Sequence, residues 1–253
     1  MLWILEHIDQ LNTDAVLSLL PRLSEARRAR VLSMTHVPSK VRSILAELLL
    51  RHALREEYGL TELPRIETGE KGKPFFPDRP ELRFNLSHCQ TAAACALDAS
   101  PLGVDVQELR PLRRAARPLA AASPSLPLEG KQSPVRTLAK EEAVSQAGKT
   151  PPVYRILSEP ERAWVEAGET PAEQDRRFTA VWTCKEAWGK AMGVGILYDL
   201  KSTCFIPDEE SWIQYDSMFV HLSCEAYELT LCSRELLTCE SVCFEALRDE
   251  VSL

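Results

Sequence analysis

The strongest constraint on the fold of this 253-residue chain is a change of hydrophobic period in its N-terminal part. From about Ser39 to Tyr58, apolar side chains recur with the period of an amphipathic helix, and Gly59 follows as a stop signal. The period then becomes two, which is typical of a half-buried strand. The expected buried face of this strand carries Leu82, Phe84 and Leu86, and its polar face carries Arg83, Asn85 and Ser87. Mixing the two periods predicts an α+β fold.

Further strands are predicted on both sides of the chain's midpoint. The small residues from Ala92 to Leu97 indicate one strand. After a turn signal that ends at Gly103, Val104 and Val106 alternate with polar residues and indicate the next. The segment from about Cys204 to Cys232 is rich in β-branched and aromatic residues, which predicts two or three strands.

Two helices are predicted in the second half of the chain. Ser158 and Glu161 have the S-x-x-E spacing of a capping box, so we expect a helix that begins there and ends near Gly168. A longer helix should run from about Asp175 to Met192 and end at Gly193.

Residues 110–152 differ in composition from the rest of the chain. They hold seven of its 17 prolines, mixed with Ala, Ser and Arg. This composition predicts an insertion that is not part of the core.

The charge is unevenly distributed along the sequence. The net charge is −7, but residues 204–253 hold eleven acids and two arginines, so they carry −9 and the preceding residues carry +2. Residues 22–55 hold eight basic side chains against two acids, Glu25 and Glu47. This local excess of +6 suits an anionic ligand.

The cysteines and the N-terminus indicate the compartment. None of the eight cysteines forms a C-x-x-C pair, which argues against a thiolate metal site and for free, mostly buried thiols. Residues 1–11 have no basic flank and are too short and mixed for a secretory signal or a membrane span. We therefore expect a cytoplasmic protein that does not associate with a membrane.

Two pairs of polar residues could hold a cation, and each has a simpler explanation. Asp105 and Gln107 leave the same face of a strand, where they could either bind a hard cation or only form a solvent-facing edge. Glu186 and Lys190 are one helical turn apart and could form a surface ion pair. Because tryptophans flank Glu186, we favour a partly buried site with a ligand.

Phosphate-binding groups are also present. Ser87 and His88 could donate to a phosphate or cap a strand end, but adjacent residues on a strand point to opposite faces and so cannot act as a nucleophile and its base. The basic cluster Arg27, Arg28 and Arg30 is either a solvated helix face or an anion site. It lacks the interleaved aromatic residues that favour nucleic acid.

Four sequence blocks, read in order, resemble a known family. They are Gly72-Lys73-Pro74, Phe84-Asn85-Leu86-Ser87-His88, Gly103-Val104-Asp105-Val106, and Trp182-x-x-Lys185-Glu186-x-x-x-Lys190. This set resembles the signature of the 4′-phosphopantetheinyl transferases, specifically the long, pseudodimeric type acting on secondary-metabolite carrier proteins.

The resemblance implies an architecture and an activity. Two similar α+β halves, 1–103 and 104–253, would be related by a pseudo-twofold axis, with coenzyme A in the cleft between them. With Mg²⁺, for which Mn²⁺ can substitute, such enzymes transfer the phosphopantetheine arm of coenzyme A to a serine of an apo acyl or peptidyl carrier protein. Adenosine 3′,5′-bisphosphate is released. The resemblance further implies a monomer that binds no nucleic acid.

The resemblance also assigns roles by position. Asp105 and Glu186 resemble the metal ligands and Lys190 a pyrophosphate contact. Gln107 stands where bacterial relatives often have a glutamate, so it could contribute only a neutral oxygen. The remaining correspondences are Arg27, Arg30, Ser43, Ser87 and His88 for the 3′-phosphate, Lys73 and Pro74 for the adenine pocket, and Glu161 for deprotonation of the serine.

Alternatives remain at two points. Glu161 is explained equally well by its capping box. The whole protein could also be a coenzyme A-binding scaffold that has lost catalysis, although Asp105, Glu186 and Lys190 favour an enzyme.

Overall fold

The computed structural model describes residues 1–109, 111–112, 155–194 and 199–249. It contains two four-stranded sheets, a hairpin of two short strands, β2 (Glu67–Thr68) and β3 (Pro74–Phe75), and several helices, and thereby confirms an α+β fold. The predicted insertion, 110–152, lies outside the described residues apart from Pro111 and Leu112. Leu112 is buried and its backbone N–H donates to Asp175 Oδ1 at 2.9 Å, so this residue belongs to the core and not to the insertion.

The first sheet has the strand order β10-β1-β5-β4. Strands β1 (Leu2–Glu6), β5 (Ala92–Asp98) and β4 (Arg83–His88) pair antiparallel. β10 (Cys239–Val242) is parallel to β1.

The C-terminal end of the chain packs on the first sheet, whereas the predicted division at 103/104 groups it with the second half. The last strand, β10, and the following helix pack on the N-terminal half, because Leu2 N–H donates to Thr238 O at 2.8 Å and Phe244 and Leu247 enter its core. Residues 239–249 therefore belong with the first half.

Helix α3 (Val37–Tyr58) packs on this sheet, and the shorter helices α1 (Thr13–Leu17) and α2 (Glu25–Ser33) pack on α3. The predicted helix is confirmed as α3, which starts two residues earlier than expected and ends at Gly59 in the left-handed conformation, φ 65°. Its buried face contributes Ile44, Leu45, Leu48 and Leu49 to the core of the first half.

The second sheet has the order β6-β9-β8-β7, with all neighbours antiparallel. Its strands are β6 (Gly103–Glu108), β7 (Ser211–Gln214), β8 (Ser217–Ser223) and β9 (Tyr227–Ser233). The three strands β7 to β9 confirm the prediction for the segment from Cys204 to Cys232.

The helices of the second half are α4 (Glu159–Glu166) and α5 (Pro171–Met192), and α6 (Phe244–Asp249) follows β10. The capping box predicted at Ser158 is present at the start of α4. α5 ends at Gly193 as predicted and packs across β6 and β9. None of the described helices is long and apolar enough to cross a membrane.

Asn85 and Ser87, on the predicted polar face of β4, are buried, so this strand is covered more fully than the predicted half-buried strand. Asn85 and Ser87 are 5% and 8% exposed. Val104 N–H donates to Asn85 Oδ1 at 2.8 Å and Val106 N–H donates to Ser87 Oγ at 3.2 Å. These polar side chains therefore bond the backbone of β6 and join the two sheets.

Gly103 permits the close approach of β6 to α5. A Cβ at this position would lie 2.1 Å from the carbonyl oxygen of Ala187 and 2.5 Å from the backbone nitrogen of Ala191. Only glycine fits such a contact, so the start of β6 is held directly against the last turns of α5.

Candidate active site

The centre of the site is the buried carboxylate of Asp105 on β6. Its Oδ1 accepts hydrogen bonds from Lys190 Nζ at 2.6 Å and from Ser87 Oγ at 2.9 Å. Its Oδ2 accepts a hydrogen bond from Gln107 Nε2 at 3.1 Å. Four residues predicted from separate sequence blocks are thus brought together from β4, β6 and α5.

Lys190 connects α5 to this cluster. Its ammonium group also donates to Val104 O at 2.9 Å and to Ser87 Oγ at 3.2 Å. The side chain remains 27% exposed, so its charge is accessible to a ligand while it balances Asp105. This arrangement suits a group that compensates negative charge on a phosphate.

Glu186 lies one turn before Lys190 on the same face of α5 and is partly exposed. Asp105, Gln107 and Glu186 carry two carboxylates and one amide, and oxygen donors of this kind are the ligands that Mg²⁺ prefers. Within the described ranges, no group of three or more His, Cys, Asp or Glu residues could hold a metal ion.

Arg27 on α2 lies against Ser43 and Glu47 on α3. Arg27 Nη1 donates to Ser43 Oγ at 3.5 Å, and Arg27 Nε lies 3.5 Å from Glu47 Oε2. Burial lowers the pKa of Arg27, while the charge of Glu47 raises it. The structure therefore brings Arg27 and Ser43 together as predicted, whereas Arg30 is exposed further along α2.

A cleft of about 780 Å³ opens at the end of β4, lined by His88, Arg42 and Gln107. Loss of hydration lowers the pKa of His88, and the positive charges of Arg42, Lys190 and Arg27 lower it further. Four cationic or potentially cationic groups thus converge here, as an anion site requires. Arg42 is one of the eight basic residues of the segment 22–55 but was not predicted as a site residue, although it adjoins Ser43.

Lys73 and Pro74 line a different groove, of about 490 Å³, between the hairpin and the end of α5. Its wall includes the rings of Phe75 and Phe84. Lys73 Nζ donates to Lys190 O at 2.6 Å and to Leu102 O at 3.0 Å, and burial lowers its pKa to about 8. The structure thus separates these two residues from the cleft at His88, and their contact with adenine stays a prediction.

Glu161 lies in the core, at the start of α4. Its side chain is 0% exposed and lies 2.8 Å from Lys185 Nζ. Its two carboxylate oxygens accept backbone N–H groups of Phe205 and Ser158, each at 2.7 Å. The contact with Ser158 confirms the capping box, whereas a role of Glu161 in deprotonation of the serine stays a prediction.

Comparison with known proteins finds similar sequences. A model of the 4′-phosphopantetheinyl transferase superfamily matches residues 141–236. The 4′-phosphopantetheinyl transferase psf-1 of Bacillus pumilus is 27% identical over 94% of each chain. The 4′-phosphopantetheinyl transferase Sfp of Bacillus subtilis is 32% identical over 36% of this chain and 41% of its own. The 4′-phosphopantetheinyl transferase HetI of Nostoc is 32% identical over 52% of this chain and 43% of its own.

The family model and the relatives indicate the same superfamily. The family match ends beyond β9 and includes the helix that carries Glu186 and Lys190, while the relative from Bacillus pumilus extends the similarity over almost the whole chain. The family model and the relatives therefore show that the chain is similar to the 4′-phosphopantetheinyl transferase superfamily.

Proposed function

We propose that this protein transfers the 4′-phosphopantetheine arm of coenzyme A to a serine of an apo acyl or peptidyl carrier protein and releases adenosine 3′,5′-bisphosphate. The observation that carries the proposal is the cluster of Ser87, Asp105 and Lys190 at the junction of β4, β6 and α5, next to a basic cleft. Named relatives that are 4′-phosphopantetheinyl transferases support the same reaction.

The transfer makes and breaks one bond at phosphorus. The serine oxygen bonds to the phosphorus that bears the pantetheine arm, and the bond from this phosphorus to the bridging pyrophosphate oxygen breaks. The serine proton leaves to water or to the departing phosphate. Because phosphoryl transfer needs little covalent chemistry from the protein, its main task is to orient the pyrophosphate and compensate its charge.

Lys190 and the carboxylates divide this task. Lys190 lies on the exposed side of the cluster, where it can contact a pyrophosphate oxygen. Asp105, Glu186 and the neutral oxygen of Gln107 would hold Mg²⁺ or Mn²⁺. When bound, this cation would neutralise charge on the pyrophosphate. Ser87 and Gln107 hold the Asp105 carboxylate in place through hydrogen bonds.

The rest of the coenzyme has two candidate subsites. Arg27, Arg30, Ser43, Ser87 and His88 would bind the 3′-phosphate, with Arg42 as an additional cation beside His88. The groove at Lys73 and Pro74 would bind adenine, whose planar ring suits its aromatic wall.

The finer classification of the protein also belongs to this proposal. The two sheets are each covered by a 22-residue helix that ends at a left-handed glycine, Gly59 or Gly193, which supports a pseudo-twofold relation between the halves. We assign the protein to the long, pseudodimeric type that modifies secondary-metabolite carriers, acting as a cytoplasmic monomer.

The experiment is intact-protein mass spectrometry on a panel of apo carrier proteins from fatty acid, polyketide and peptide synthesis. With coenzyme A and Mg²⁺, at least one carrier should gain the mass of a phosphopantetheine arm, and EDTA should abolish the gain. Binding of coenzyme A without any mass gain across the panel would support the inactive scaffold instead.

A further inference from the structure

We infer that Glu161 and Lys185 form a buried positioning pair that sets the orientation of Glu186, and that Glu161 does not act on the serine itself. This inference rests on the proposed function, because it assigns Glu186 to the transfer site. It differs from the role that the family resemblance implies for Glu161.

The pair is enclosed by backbone groups from several segments. Both side chains are 0% exposed, with Lys185 Nζ 2.8 Å from Glu161 Oε1. Lys185 Nζ also donates to Leu200 O at 2.5 Å and to Thr203 O at 2.8 Å. Glu161 accepts from Phe205 N–H at 2.7 Å, so the pair joins the start of α4, the middle of α5 and the segment before β7.

Lys185 immediately precedes Glu186, so these bonds act on the backbone that carries the predicted metal ligand. Successive side chains on a helix point about 100° apart, so Lys185 can face the core while Glu186 stays partly exposed. The other side of the same turn is fixed by Ala187, whose carbonyl oxygen would lie 2.1 Å from a Cβ at position 103. The rotation of α5 at Glu186 is therefore held from two directions.

A buried ion pair has a characteristic response to substitution. Removal of one partner leaves an uncompensated charge in the core, whereas neutral replacement of both partners is often tolerated. A positioning pair should therefore show strong non-additivity, with the double variant closer to wild type than either single variant. A carboxylate that takes the serine proton cannot be rescued in this way, because the double variant lacks it.

The test compares Glu161→Gln, Lys185→Met and the double variant with wild type. Two quantities are measured: the Mg²⁺ concentration for half-maximal transfer, and the rise in Tm produced by Mg²⁺ with coenzyme A. We expect each single variant to need about tenfold more Mg²⁺ and to lose most of the rise in Tm. The double variant should return to within about threefold of wild type. A folded double variant whose turnover is as low as that of Glu161→Gln would overturn the inference.

A control uses the ion pair between Arg176, on the same helix, and the buried Glu228 on β9, with Arg176 Nη1 and Glu228 Oε1 2.5 Å apart. Arg176→Met with Glu228→Gln should lower Tm and leave the Mg²⁺ midpoint unchanged, since Arg176 lies about three helical turns from Glu186. An equal shift in the control would show that general destabilisation, and not positioning, moves the midpoint.

A further variant and the Tm measurement test the inference if the first variants do not fold or if no carrier is modified. If the neutral variants do not fold, Lys185→Arg retains the charge but changes the length of the link, and it should still shift the Mg²⁺ midpoint by about two- to tenfold. An unchanged midpoint in this variant would overturn the inference. The rise in Tm reports ligand binding and does not require transfer. A wild-type protein that shows this rise but modifies no carrier would refute the proposed function. The positioning pair would then be tested by comparing the rise in Tm among the same variants.

Discussion

Lys190 Nζ lies 2.6 Å from Asp105 Oδ1, across the junction between the last turns of α5 and strand β6. A buried carboxylate is costly without a partner, and this contact supplies one before any ligand arrives. Because Lys190 is 27% exposed, its ammonium group can turn from Asp105 to a pyrophosphate oxygen. In the proposed function, the bound cation would then neutralise the Asp105 carboxylate in place of Lys190.

The first prediction concerns the contributions of Asp105, Gln107 and Glu186 to binding of the proposed cation. Loss of one anion near the cation removes an interaction of about 4 kcal/mol, for 4 Å and an effective dielectric near 20. Glu186→Gln and Asp105→Asn should therefore lower turnover by about two to three orders of magnitude. Gln107→Ala should cost far less, and Gln107→Glu should tighten metal binding. Turnover measured against Mg²⁺ concentration checks all four variants.

Two results would contradict this prediction. If Gln107→Ala is as damaging as Glu186→Gln, the amide is a principal ligand and the carboxylates are not. An unchanged Mg²⁺ dependence in Glu186→Gln would likewise remove Glu186 from the site.

The second prediction concerns the 3′-phosphate of coenzyme A. An arginine-phosphate contact contributes roughly 1.5 to 3 kcal/mol, or about 10- to 150-fold in affinity. Dephospho-coenzyme A should therefore bind wild type much more weakly than coenzyme A does, but the difference should shrink in Arg27→Ala and Arg30→Ala. Binding is measured by calorimetry. Arg28→Ala, on the same helix, is the control and should behave as wild type. Equal losses in all variants would exclude these arginines from the phosphate site.

The third prediction concerns the contact between β6 and α5. Gly103→Ala would place a methyl group 2.1 Å from Ala187 O, so the strand and the helix must separate. We expect a loss of about 3 kcal/mol in the free energy of unfolding, measured with urea. Gly69→Ala meets only Lys73 O at 3.6 Å and should be neutral. A Gly103→Ala variant as stable as wild type would mean that this close contact does not exist in solution.

The fourth prediction concerns the pH dependence of stability. Burial lowers the pKa of Lys73 to about 8 from 10.5, so the folded protein releases this proton at a lower pH than the unfolded chain does. The penalty for the buried charge is therefore fully present below pH 8 and is relieved as the pH rises to 10.5. Relative to Lys73→Met, the wild type should gain roughly 3 kcal/mol over this window. A constant difference between the two would contradict the shifted pKa.

Local sequence signals predicted the secondary structure well where the determinants are local. The hydrophobic period and Gly59 identify α3, and Ser158 with Glu161 identifies the start of α4, because caps and amphipathic faces are properties of neighbouring residues. The i, i+4 spacing of Glu186 and Lys190 likewise places them on one helix face.

Long-range contacts account for what the sequence did not reveal. Asn85 and Ser87 look like solvent-facing residues until β6 packs on them, and β10 pairs with a strand more than 230 residues away. The partner of Glu161 is Lys185, which no local pattern connects to it. Arg42 enters the site only through the orientation of α3 toward the cleft.

The most direct test of the central claim follows both products of one reaction. Apo carrier protein, coenzyme A and Mg²⁺ are incubated with wild type or Asp105→Asn, and the modified serine and the released adenosine 3′,5′-bisphosphate are quantified together. Wild type should form the two products in equal amounts, and Asp105→Asn should form neither at a comparable rate. Release of the nucleotide without modification of the serine, or undiminished transfer by Asp105→Asn, would contradict the account.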